Sequence, residues 1–110
     1  FLGTFDGMEV VGFKSLFGHT YPNSELTDTL FRVERGVGRH PGAFAEGFRR
    51  GGLMATYLIG PLLPLNPPFT RYLLEQMGAK DVHLAFEDTA MKAYRARVEE
   101  FRDEKRGYQY

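Results

Sequence analysis

The sequence predicts a mainly α fold: an extended aromatic N-terminal arm, one membrane-embedded helix and a C-terminal amphipathic helix, the plan of a small membrane-complex subunit. Three observations lead there. Leu53–Leu65 is a 13-residue run without a charge, preceded by the arginine pair Arg49 and Arg50. Gly47, Gly51 and Ala55 recur at intervals of four, the spacing of a small-residue stripe that lets helix backbones approach closely. From Asp81 to Arg106, Leu84, Met91, Tyr94, Val98 and Phe101 return at helical intervals over a mixed-charge face. The implied division is an arm with a short helix over 1–40, a membrane helix over 41–66, and a short helix plus the charged amphipathic helix over 67–110.

The arm, Phe1 to Asn23, alternates aromatics (Phe1, Phe5, Phe13, Phe17, Tyr21) with glycines (Gly3, Gly7, Gly12, Gly18). Val10 and Val11 allow a short strand, but no sustained alternation supports a sheet. Ser24 suits the N-cap of a short helix from Glu25 towards Arg35, which Gly36 and Gly38 end. Pro41 then fits the first turn of the next helix, whose apolar side is Phe44, Phe48, Met54 and Leu58. Gly60-Pro61 ends or kinks that helix, and Pro64, Pro67 and Pro68 prevent its regular continuation. Phe69–Met77 fits a short helix capped by Gly78. In the tail, Asp88 and Lys92 are spaced for an i, i+4 pair.

The chain of 110 residues has room for one small domain. Its 14 basic and 14 acidic residues cancel and interleave, so no basic face for nucleic acid is present. Absence of cysteine excludes disulfides, thiolate metal sites and cysteine nucleophiles within it. Thirteen glycines and six prolines argue against a regular helical bundle. A first residue other than Met suggests a processed or incomplete product.

Thirteen residues fall short of the roughly 20 needed to cross a bilayer, so a buried or re-entrant helix competes with a span. Counting from Pro41 makes the helix long enough, with the two arginines snorkelling at one interface. Catalytic patterns are missing: no serine elbow, no phosphate loop and no HExxH. Glu87-Asp88 and Glu99-Glu100 fit a solvated helix face, and Gly36-Val37-Gly38 is a fragment of a nucleotide motif that follows no strong strand. The expectation is a protein that is not an enzyme.

Two separated stretches carry a resemblance. Glu46–Leu62, EGFRRGGLMATYLIGPL, is similar to the first membrane helix of photosystem I reaction centre subunit XI (PsaL), matching at Gly47, Gly51, Leu58, Ile59, Gly60 and Pro61. Upstream, LFGHTYPNSELTDTLF resembles that family's stromal segment at Gly18, His19, Pro22, Ser24 and Thr29. The resemblance covers Leu16 to Leu65 and implies a non-catalytic structural subunit of photosystem I in the plastid thylakoid membrane. Such a subunit would pack on core subunits, antenna proteins and membrane lipid, and would brace chlorophyll a and carotenoid. The chain departs from the family after Leu65, where no second or third membrane helix follows. It also departs at Arg49 and Met54, which stand where the family offers axial contacts to chlorophyll magnesium. Magnesium favours hard donors, so a chlorophyll placed here as the resemblance implies would use another residue, a backbone carbonyl or a bound water; His40 and Glu46 are the nearby hard donors, and Met54 is a weaker third contact. Met54 equally fits core packing, and His40 a solvated or capping role. Two alternatives stay open: an accessory single-helix subunit of a respiratory complex in the mitochondrial inner membrane, and a soluble helical interaction module.

Overall fold

A four-stranded antiparallel sheet with helices on both faces organises the chain in a computed structural model, which describes residues 1–23 and 28–106. The first element is a hairpin. Strands β1 (Leu2–Phe5) and β2 (Met8–Val11) pair from Leu2↔Val11 to Phe5↔Met8. Between them lies Asp6-Gly7, with φ of 46° and 82°. Both turn residues thus occupy the left-handed region that matches the right-handed twist of paired strands, which is why an Asp-Gly step favours a two-residue hairpin. After the short strand β3 (Phe13–Lys14), β4 (Phe31–Arg35) pairs with the other side of β1, and β5 (Ala45–Glu46) pairs with β4. The sheet order is therefore β2-β1-β4-β5.

This architecture overturns the mainly α expectation and its membrane helix. The segment 41–66 holds β5, the hairpin β6 (Phe48–Arg50) and β7 (Leu53–Ala55), then β8 (Leu58–Ile59) and a single turn α1 (Leu62–Leu65). Gly51-Gly52 is the two-residue turn of that hairpin, with Arg49 opposite Met54 and φ of 56° at Gly51. The glycines taken for a helix-packing stripe supply turn geometry instead. Gly47 likewise has a positive φ of 66°, and a Cβ there would lie 2.5 Å from the Ala55 carbonyl oxygen. Among the described residues no helix is long and apolar enough to cross a membrane, so the thylakoid and mitochondrial inner-membrane placements lose the span that suggested them. The 1–40 region is corrected as well, because it supplies three strands of the main sheet. Ser24 to Thr27 lie outside the described residues, but Phe31–Arg35, assigned to the same short helix, is β4.

The C-terminal expectations fare better. Helix α2 (Pro67–Gln76) begins two residues before the anticipated Phe69, with Pro at its first position, and Gly78 follows its end at φ 94°. Helix α3 (Glu87–Arg102) buries Tyr94, Val98 and Phe101, as the periodicity requires. It starts six residues after Asp81, with Glu87 and Asp88 in the first turn and Arg102 in the last, a charge order that suits the helix dipole.

Two apolar clusters sandwich the sheet. Phe5, Val10 and Phe31 join Phe1, Leu30, Leu58 and Phe69 of α2 on one side. Leu2 and Val11 meet Tyr94, Val98 and Phe101 of α3 on the other. Phe69 sits edge-on to both Phe5 and Phe31, with ring centroids 5.2 and 5.3 Å away, a preferred aromatic geometry. Phe1 lies across Gly3, where a Cβ would come within 2.6 Å of the ring and 2.5 Å of the Arg32 carbonyl oxygen.

The outer edge of β2 is closed by side chains. Asn66, fully buried between α1 and α2, accepts from the Val11 N–H at 2.8 Å and donates to the Val11 carbonyl at 2.7 Å. One carboxamide thus reproduces the pair of bonds that a neighbouring strand would give. Tyr94 donates its hydroxyl to the Glu9 carbonyl at 2.8 Å, on the same edge. Paired in this way, the Glu9 carbonyl and the N–H and carbonyl of Val11 do not offer a template for another strand.

Candidate functional site

Two buried charged residues, Arg39 and Glu46, organise the region that carries the sequence-derived candidates. The Arg39 guanidinium donates to the Gly47 carbonyl from Nε (3.0 Å) and Nη2 (2.6 Å), and to the Asp28 carbonyl from Nη2 (2.6 Å). Its Cζ lies over the Phe48 ring, 4.0 Å from the centroid. Its backbone N–H donates to Ala45 and its carbonyl accepts from Thr20. A single arginine therefore joins the loops around Thr20 and Asp28 to β5. A planar cation with several donors suits this role, and a lysine could not reproduce it.

Glu46 projects from β5 towards the strand that follows the second hairpin. Its Oε2 accepts from the Thr56 hydroxyl at 2.7 Å and its Oε1 from the Tyr57 N–H at 2.9 Å. Thr56 Oγ1 in turn accepts from the Leu58 N–H at 3.0 Å. Lys14 Nζ stands 3.7 Å from Glu46 Oε1 and donates to the Gly38 carbonyl at 2.5 Å. Desolvation lowers the Lys14 pKa from its ordinary 10.5, opposed by attraction to Glu46. The carboxylate, hydroxyl and ammonium are all committed to backbone positioning. Among the described residues no buried side-chain nitrogen or oxygen lacks a partner.

The node fixes β8 and, with it, the surface next to the ladder that β8 forms with β3. Phe13 pairs with Ile59 and Lys14 with Leu58. Strand alternation turns Lys14 and Leu58 inward and Phe13 and Ile59 outward, and the Lys14 ammonium lies 5.6 Å from the Tyr57 ring centroid. Tyr57 also shares a hydrogen bond with Thr20 Oγ1 at 3.0 Å. Beyond Thr20, Tyr21 stacks on His40 with centroids 4.6 Å apart, and His19 meets Tyr21 edge-on.

The three expected pigment contacts fall into three separate environments. His40 belongs to a surface loop, with Nδ1 3.0 Å from the Pro41 carbonyl oxygen. Glu46 is enclosed and occupied as described. Met54 packs against the first apolar cluster and lines an open groove of about 530 Å³ with Arg49, Leu63, Tyr72 and Met77. No group of three or more His, Asp or Glu among the described residues is placed to hold a metal ion. The chlorophyll and carotenoid expectation came with the photosystem resemblance, and the helix meant to present these residues is replaced by strands. Arg49, expected at a membrane interface, instead reaches Asp6 at 3.1 Å and the Tyr72 hydroxyl at 2.9 Å. Lys14, Arg39 and Thr56, which build the node, went unnoticed as site residues because their partners are distant in sequence or are backbone atoms.

No protein-family model matches the chain, and no solved structure matches it. A curated protein does: the chain is 40% identical over 67 residues to the lipid II isoglutaminyl synthase (glutamine-hydrolyzing) subunit GatD of Staphylococcus aureus (strain N315). The match takes in 61% of this chain and spans 26%, about a quarter, of that relative's length.

Proposed function

We propose that this chain is a non-catalytic scaffold segment of a glutamine-hydrolysing synthase subunit similar to the S. aureus subunit GatD. The observation that carries this reading is the 40% identity over 67 residues. The polar node supports the scaffold role, since Glu46, Lys14, Arg39 and Thr56 all spend their hydrogen bonds on neighbouring backbone or on one another. The chain also contains no cysteine to serve as a thiolate nucleophile. On this reading the chain shapes and braces the subunit, and the groups that hydrolyse glutamine come from the rest of it.

The test is a chimera in which the matched stretch of the S. aureus subunit is replaced by this chain, co-expressed with the remainder of that synthase. The expected result is a cooperatively folded chimera that co-purifies with the synthase. A chimera that is unfolded, or one that folds but stays outside the complex, overturns the assignment.

A further inference from the structure

We propose that the groove shared by β7 and α2 takes an extended peptide segment, added as a further strand on β7, with apolar side chains at alternate positions and a carboxylate at the end beside Arg49. This inference goes beyond the scaffold assignment and does not depend on it. Ladder geometry supplies the backbone half of the site. Across the Gly51-Gly52 turn Arg50 faces Leu53, then Arg49 faces Met54 and Phe48 faces Ala55. Antiparallel pairs alternate between those that exchange both backbone hydrogen bonds and those whose N–H and C=O groups point away from each other. A two-residue turn closes on an exchanging pair, so Arg49–Met54 is a pair with its backbone groups turned outward. The Arg49 N–H agrees, donating to the Asp28 carbonyl at 3.0 Å on the outer side of β6. The Met54 N–H and C=O accordingly face the outer side of β7, where no further strand pairs with it among the described residues. A strand edge with both groups of one residue outward is a template for strand addition.

The side-chain half is the open groove of about 530 Å³, lined from β7 by Met54 and from α2 by Leu73, Leu74 and Met77. Its volume is that of ordinary ligand clefts, and Met77 is 75% exposed, a large apolar side chain without cover. An extended chain turns every second side chain to one face, so a strand beside β7 directs alternate residues onto this apolar wall. A Cβ at Gly51 or Gly52 would meet nothing within 4 Å, which leaves room for a chain to run past the turn. Arg49 is the one charged residue lining the groove among those described. Tyr72 and Asp6 hold its guanidinium, but the Asp6 side chain is 67% exposed, and a pair so wet binds weakly. The charge therefore favours a carboxylate on the incoming segment. A helix or a small apolar molecule would fill the groove and leave the outward Met54 groups unused, so the strand edge selects an extended peptide.

The experiment titrates the isolated, nitrogen-15-labelled chain with a synthetic peptide of about six residues, the usual length of a strand, that alternates leucine with threonine and ends in a free carboxylate. Binding saturates below about 1 mM, amide shifts concentrate at Gly52–Ala55 and Leu73–Met77, and exchange of the Met54 amide slows at least about tenfold. The same peptide N-methylated at alternate backbone nitrogens binds at least about tenfold more weakly, because it loses the ladder bonds but keeps the side chains. Amidating its carboxyl end weakens binding about threefold. Met77→Asp, at an exposed position that the fold does not need, weakens binding about tenfold and leaves the rest of the spectrum in place. An N-methylated peptide that binds as well as the parent overturns strand addition. Shifts confined to other surfaces, or no saturable binding by about 1 mM, overturn the site. Concentration-dependent protection of the Met54 amide without peptide also overturns the proposal, because a second copy of the chain would then be the occupant.

Discussion

Replacing Asn66 by alanine tests the closed sheet edge directly. The carboxamide makes three hydrogen bonds: from the Val11 N–H, to the Val11 carbonyl and to the Leu62 carbonyl, all within 2.7–2.8 Å. Alanine removes them and leaves a buried N–H and C=O on β2 with no strand beside them. Leaving a buried polar group unpaired costs about 1–3 kcal/mol, and entry of water into the small space vacated offsets part of it. A loss of about 3 kcal/mol is expected, a large share of the roughly 5–15 kcal/mol that stabilises a domain. At about 4 °C or more per kcal/mol for a chain of this size, the melting temperature should fall by at least ~12 °C. Urea denaturation followed by far-UV circular dichroism measures this, with the midpoint shifting and the slope unchanged. Asn66→Asp keeps an acceptor for the Val11 N–H but loses both donated bonds, and its buried carboxylate faces two carbonyl oxygens, so it should rescue nothing. A loss under about 1 kcal/mol for Asn66→Ala would refute the claim that this side chain stands in for a strand.

Further outcomes follow from the polar node. Glu46→Gln leaves the Lys14 ammonium without its counter-charge and should cost about 3 kcal/mol, as expected for half of a buried pair. Lys14→Met added to it should recover much of that loss in a double-mutant cycle by chemical denaturation. The Lys14 pKa is lowered on folding, so between that value and 10.5 the unfolded chain holds more protons and stability rises with pH. The Lys14→Met variant should lack that rise. Burial raises the Tyr94 pKa above 10.0, so the unfolded chain loses this proton first and stability falls as pH climbs past 10.0. Tyr94→Phe should flatten that fall while lowering stability at neutral pH by about 1 kcal/mol, for the lost bond to the Glu9 carbonyl. Denaturation midpoints measured from pH 7 to 11 separate the two opposing slopes.

What the sequence made legible was decided by whether the relevant signal was local. Helix α3 was readable because Tyr94, Val98 and Phe101 repeat on a helical face, and α2 because Pro67-Pro68 and Gly78 punctuate it. The sheet was readable in part and overlooked. Asp6-Gly7 between the tetrapeptides LGTF and MEVV is a strong hairpin signal, and Gly51-Gly52 is another. Counting glycines at intervals of four gave helical periodicity priority over turn chemistry, and the apolar run after Arg50 then looked like a span. Nothing local discloses Arg39 or Asn66, whose partners are backbone atoms brought near by the fold. Glu46 was singled out as a hard oxygen donor, but its position beside Thr56 and Lys14 depends on strand pairing that spacing alone cannot supply.

The central place of β1 in the sheet also has a temporal side. One face of Leu2 and Val11 has no cover until Tyr94, Val98 and Phe101 arrive, and the Tyr94–Glu9 hydrogen bond joins residues 85 positions apart. Long loops must close before such contacts return any free energy, so folding of this chain should be slow for its size. During synthesis the first hairpin can form early, but its α3-facing side stays wet until nearly the whole described chain has emerged. A ribosome-bound chain that stops before residue 94 therefore displays an apolar sheet face, and that window is when it most needs a chaperone.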